Sequence, residues 1–114
     1  MSEENKLYIL WTNGSPVTFK NMVSMYAYNS IKNDWWEDIT ITIWGETAQL
    51  TAENKEIQQH ITKLLEAGVH VSACKACAEE LDAADTLKDL GIEVKYWGEP
   101  LTTVIKGKEN IITI

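Results

Sequence analysis

A chain of 114 residues with ten Lys, no Arg and seventeen Asp or Glu carries a formal charge of -7. That length supports one buried core but not two; the charge repels nucleic-acid phosphates and anionic lipid, and without Arg no bidentate fork can clamp a carboxylate or phosphate. The acidic, polar start lacks the basic and apolar segments of a secretory signal, and no apolar stretch is long enough to span a bilayer, so the expectation is a cytoplasmic protein with no nucleic-acid and no membrane partner.

Residues 6–11 form a nearly continuous apolar run, which predicts a strand buried on both faces at the centre of a sheet. A turn over 12–16 follows, with Ser15 as N-cap and Pro16 in the first position of a helix reaching about Lys32. Its core face is expected to hold Phe19, Met22, Val23, Tyr26, Ala27 and Ser30. Residues 39–44 alternate Ile with Thr, Thr and Trp, a second strand with one face less buried, which Gly45 ends. Thr51 is placed as the cap of a second helix whose core face carries Ile57, Ile61, Leu64 and Leu65, and Gly68 stops it. A third strand over 69–73 runs into the two cysteines, which open a third helix with the stripe Ala78, Leu81, Ala84, Leu87 and Leu90, broken near Asp82. A strand over 92–96, a short helix over 100–106 and a strand over 110–114 complete the pattern. Strands separated by helices predict right-handed crossovers and a single three-layer α/β/α domain over 1–114, with a mostly parallel five-stranded sheet covered on both faces.

In such sheets, sites form beyond the carboxyl ends of the strands. The loop after strand one supplies Asn13 and Gly14, the loop after strand two Trp44 and Gly45, and the end of strand three Cys74. A thiol in the first turn of a helix meets unpaired N–H groups and the positive end of the macrodipole, both of which favour thiolate, so Cys74 is the candidate nucleophile. Cys77 lies one turn further on the same face, close enough to attack a persulfide or sulfenate on Cys74. Lys75 adds a positive charge beside them. Cys74 and Cys77 are the only cysteines in the chain. In a reducing cytosol such a pair reads as catalytic, redox-active or metal-binding, with two small core hydrophobes as the structural alternative.

Structural zinc requires four ligands, and His60 and His70 stand alone on a helix and a strand, so no metal is expected; His70 reads as a packed core or interface residue. Neither a G-x-G-x-x-G nor a Gly-Lys-Ser/Thr motif is present, and no cofactor is implied. The cysteine pair follows strand three instead of strand one and both prolines lie at helix starts, which does not fit thioredoxin. Of the tryptophans at 11, 35, 36, 44 and 97, most are expected in the core, while Trp44 and Trp97 end strands and could line a pocket or a subunit interface.

The segment Val71-Ser72-Ala73-Cys74-Lys75-Ala76-Cys77-Ala78, together with Ile43-Trp44-Gly45, Leu90-Gly91-Ile92-Glu93-Val94, Gly98-Glu99-Pro100-Leu101-Thr102 and the terminal Ile-Thr-Ile, resembles the DsrE/DsrF-like family of small α/β sulfur-handling proteins. The resemblance implies a parallel sheet between helices, a homo-oligomer (dimer, trimer or hexamer), and a relay cysteine, Cys74 by position, that accepts sulfane sulfur as a persulfide from a donor protein and passes it to an acceptor protein. Cys77 then relays, resolves or merely packs. The expectation is a sulfur carrier or sulfurtransferase-like protein, with Asn13, Gly14, Trp44, Gly45 and Lys75 around the sulfur. The alternatives are a non-catalytic oligomeric interaction subunit with structural cysteines and a peroxiredoxin-like thiol redox protein.

Overall fold

The computed structural model describes residues 5–114; residues 1–4 of the acidic start lie outside them. The elements run β1 (Lys6–Trp11), α1 (residues 16–32), β2 (Asp38–Ile43), α2 (Glu46–Glu53), α3 (Lys55–Ala67), β3 (His70–Cys74), α4 (Lys75–Glu80), α5 (Ala84–Asp89), β4 (Glu93–Lys95), α6 (Gly98–Lys106) and β5 (Asn110–Thr113). The strands lie in the order β4-β3-β2-β1-β5 and every adjacent pair is parallel. This is an α/β domain with a five-stranded all-parallel sheet in a three-layer arrangement.

Local chemistry places most boundaries. Ser15 caps α1, its Oγ accepting the Thr18 N–H at 3.2 Å, and Pro16 occupies the first turn, where its missing N–H costs nothing. Gly68 ends α3 in the left-handed region at φ +100°, with its N–H turned back to the carbonyls of Leu64 and Leu65. The break expected near Asp82 is present: that residue sits at φ +57° and separates α4 from α5.

Three local expectations give way. Thr51 does not cap a helix; it lies inside α2, fully buried, and Asn54 takes the capping role for α3 by accepting the Ile57 N–H at 3.0 Å. Helix α1 contains a π-helical stretch, Phe19–Ser24, between α-helical Pro16–Thr18 and Met25–Lys32. The wider turn shifts the register by about one residue, so Ser24 joins Phe19, Val23, Ala27 and Ser30 inside while Met22 is exposed. Finally β2, not β1, is the middle strand, and β1 alternates buried with half-buried residues instead of being buried on both faces.

The strand order explains how the layers fill. From β1 to β4 the sheet grows one strand at a time in one direction, so right-handed crossovers keep α1 to α5 on a single face. Only the return from β4 to β5 reverses, which puts α6 alone on the other face. The first face buries Leu7, Ile9, Trp11, Ile39, Ile41, Ile43, Val71 and Ala73 against Phe19, Val23, Ile57, Ile61, Leu64 and Leu87. The second carries Tyr8, Thr40 and His70 in one cross-strand row. No helix among the described residues is long and apolar enough to cross a membrane.

Candidate functional site

At the carboxyl end of the sheet the loops after β1 and β2 are tied together by hydrogen bonds. The Thr47 hydroxyl donates to the Trp11 carbonyl at 2.9 Å and accepts the Trp44 N–H at 3.1 Å, while Trp44 N–H also reaches the Trp11 carbonyl at 3.2 Å. Gly14 N–H donates to Glu46 Oε2 at 2.9 Å. A Cβ at position 14 would lie 2.5 Å from that oxygen, so the close approach requires glycine or a displaced carboxylate. Asn13 shapes the turn: its Oδ1 accepts the Ser15 N–H at 2.8 Å and its carbonyl accepts Trp11 Nε1–H at 2.9 Å. The sequence signal for Thr47 and Glu46 is slight: an acid and a hydroxyl in the first turn after Gly45.

Gly45 has φ +71° and ψ -135°, a region that residues with a Cβ avoid. The Gly45 backbone N–H lies near enough to the Cys77 sulfur to favour its thiolate. Cys74 is the last residue of β3 and the N-cap of α4, and its sulfur neighbours that of Cys77. The two cysteines and Gly45 thus lie together at the carboxyl end of the sheet.

The access to the cluster is the reverse of the expectation. Cys74 is 5% exposed, its side chain does not cap the helix, and α4 is only six residues long, which limits its macrodipole. Cys77 is the half-exposed thiol. Burial is the main influence pushing the Cys77 thiol above its ordinary value; the Gly45 amide opposes this by favouring thiolate, and the adjacent Cys74 and Glu80 reinforce the rise.

The other residues singled out in the sequence have partners of their own. Trp44 is half-buried at the end of β2. Lys75 points its Nζ over the Tyr96 ring, 5.2 Å from the centroid, so its charge is directed to that aromatic. Trp97 is buried and donates Nε1–H to Ser72 Oγ at 2.7 Å, and the Ser72 hydroxyl faces Glu93 Oε1 at 3.0 Å. Lys95 closes the set, 3.4 Å from Glu93 Oε1 and 5.0 Å from the Trp97 ring centroid. Trp97 therefore lines a cavity of about 490 Å³ on the second sheet face, together with Tyr8, Thr40, His70 and Lys95. His70 is not packed in the core: its side chain is 67% exposed, with Nε2 3.9 Å from Asp38 Oδ1. No group of three or more His, Cys, Asp or Glu among the described residues could hold a metal ion.

No protein-family model matches the chain, and no curated protein does. A solved structure does match: a conserved protein of unknown function from Bacteroides thetaiotaomicron, at 40% identity and TM-score 0.98, over 100% of this chain and 98% of that one. Identity at that level over the whole length means that this chain belongs to the same family as the Bacteroides protein.

Proposed function

We propose that this protein carries sulfane sulfur on the Cys74–Cys77 pair, as a DsrE/DsrF-like sulfur carrier working with persulfide donor and acceptor proteins and assembled as a homo-oligomer. The observation that carries the reading is the convergence of two free thiols and the Gly45 amide where three loops meet beyond the strand ends. The half-exposed Cys77 meets the donor. Its thiolate attacks the outer sulfur of a donor persulfide; the donor S–S bond breaks, the donor leaves as thiolate and Cys77 becomes the persulfide. Attack by Cys74 thiolate on that outer sulfur moves it inward and returns Cys77 to thiolate. Attack on the inner sulfur instead expels hydrosulfide and leaves a Cys74–Cys77 disulfide, which an external thiol must reduce. The Gly45 N–H stabilises anionic sulfur in a chain that has no Arg for the task.

The test is intact-mass analysis after exposure to a cysteine persulfide donor. Wild type is expected to gain one sulfur atom, Cys77→Ser none, and Cys74→Ser one sulfur that it transfers poorly. Wild type that stays unmodified while a control carrier is loaded would defeat the proposal. The burial of Cys74 favours one competing reading, a non-catalytic subunit with structural thiols; it predicts that both cysteines resist iodoacetamide until the protein unfolds.

A further inference from the structure

Between α1 and α3 lies a cleft of about 280 Å³. Its polar side is formed by Lys20, Ser24, Asn29, His60 and Lys63. Its apolar side is formed by Met25, Tyr28 and Leu64. None of these residues belongs to the cysteine cluster. None is acidic, in a chain with seventeen Asp and Glu. A surface that has gathered two of ten lysines, a histidine, a carboxamide and two hydroxyls without a carboxylate presents hydrogen-bond donors to whatever enters.

The π-helical stretch of α1 produces this arrangement. It turns Ser24 inward until its residue is only 6% exposed, with Oγ 3.4 Å from His60 Nδ1 at the cleft floor. The His60 ring is held from behind by Phe19, edge-on at 6.2 Å. At one end Lys20 Nζ is paired with Glu56 Oε1 at 3.1 Å, so its charge is already partly answered. Lys63, exposed on the opposite wall, has no ion-pair partner among the described residues. The same register leaves Met25 53% and Tyr28 40% exposed beside it, two large apolar side chains that would be better covered.

We infer that this cleft is a binding site for a small organic anion, its charged group held by Lys63 with His60, Ser24 and Asn29, and its apolar part resting on Met25, Tyr28 and Leu64. Coulomb attraction at a partly screened surface supplies the preference for negative charge. Burial of Met25 and Tyr28 supplies the preference for an apolar group over a bare ion. A cleft of about 280 Å³ suits one aromatic ring bearing a carboxylate or phosphate.

The test titrates the full-length protein, 15N-labelled, with phenyl phosphate, benzoate, inorganic phosphate and benzylamine. Saturable amide shifts confined to residues 20–29 and 59–64 are expected for phenyl phosphate and benzoate. Inorganic phosphate should bind about tenfold or more weakly and benzylamine not at all. Because Lys63 is exposed, Lys63→Glu should keep the fold and weaken phenyl phosphate binding about tenfold or more, with Lys63→Gln intermediate. Shifts that do not saturate, that map elsewhere, that appear equally with benzylamine or inorganic phosphate, or that survive Lys63→Glu unchanged would overturn the inference. Cys77→Ser should bind phenyl phosphate as wild type does, which keeps this result independent of the sulfur reading.

Discussion

The two faces of the sheet follow opposite rules although the same strands build both. The face under α1 to α5 is apolar without exception along β1 and β2, from Leu7 to Trp11 and from Ile39 to Ile43. The other face has one nine-residue helix, α6, whose buried side chain is Val104, and leaves Tyr8, Thr40 and His70 in contact with solvent-filled space. The difference teaches that coverage is set by strand order, not by strand composition: a sheet that grows in one direction has all its crossovers on one side. Where helices cover the sheet, stability comes from burial. On the open side it comes from directed polar contacts such as Trp97 to Ser72.

Substitutions can test this contrast. Ile41→Ala, fully buried on the covered face, is expected to cost about 2–5 kcal/mol in urea unfolding, from lost transfer energy plus the cavity left behind. Next, Ser72→Ala removes the acceptor of a buried indole N–H on the other face and should cost roughly 1–3 kcal/mol; a loss as large as that of Ile41→Ala would erase the distinction between the faces. Gly45→Ala should cost about 1–3 kcal/mol through backbone strain alone, since no atom lies within 4 Å of the added Cβ, and should alter the Cys77 alkylation rate. Smallest is Thr40→Ala on the open face, within about 0.5 kcal/mol of wild type. If it proves as costly as Ser72→Ala, then something covers that face in solution.

The thiol site gives a pH prediction. Because the Cys77 thiol is raised above its unfolded value of 9.0, the folded state holds its proton more tightly. Its contribution to stability is therefore complete below pH 9.0 and is lost as pH climbs through the folded value. Alkylation of Cys77 should keep accelerating beyond pH 9.0, whereas in urea-unfolded protein the rate levels off near it. A plateau well below pH 9.0 in the folded protein would show that the Gly45 amide outweighs burial.

Features written in a few neighbouring residues were legible in the sequence. Ser15-Pro16, Gly68 and the break at Asp82 all depend on local dihedral preferences, and the position of the cysteines at a strand-to-helix junction follows from periodicity alone. So did the grouping of Cys74, Cys77 and Gly45, since a parallel sheet brings the loops after its strands to one end. What escaped depends on partners distant in the chain. Cys74 is buried because of what packs over the end of β3, and no property of its own segment announces this. The exposure of His70 follows from the second face having only α6 to cover it, a consequence of topology. Thr51 looked like a cap because hydroxyls often are, but Asn54 three residues later is a better one, and α3 starts there.

The wide turn of α1 also bears on how the family can vary in length. A helix that holds a π-helical stretch contains one residue more than an α-helix joining the same endpoints needs. Deleting one residue from 19–24 would let the turn close as regular α-helix, with the half from Met25 onward keeping its orientation relative to Phe19. Relatives shortened by one residue here should keep both the sheet and the rest of α1 in place and lose only the inward turn that sets Ser24 against His60.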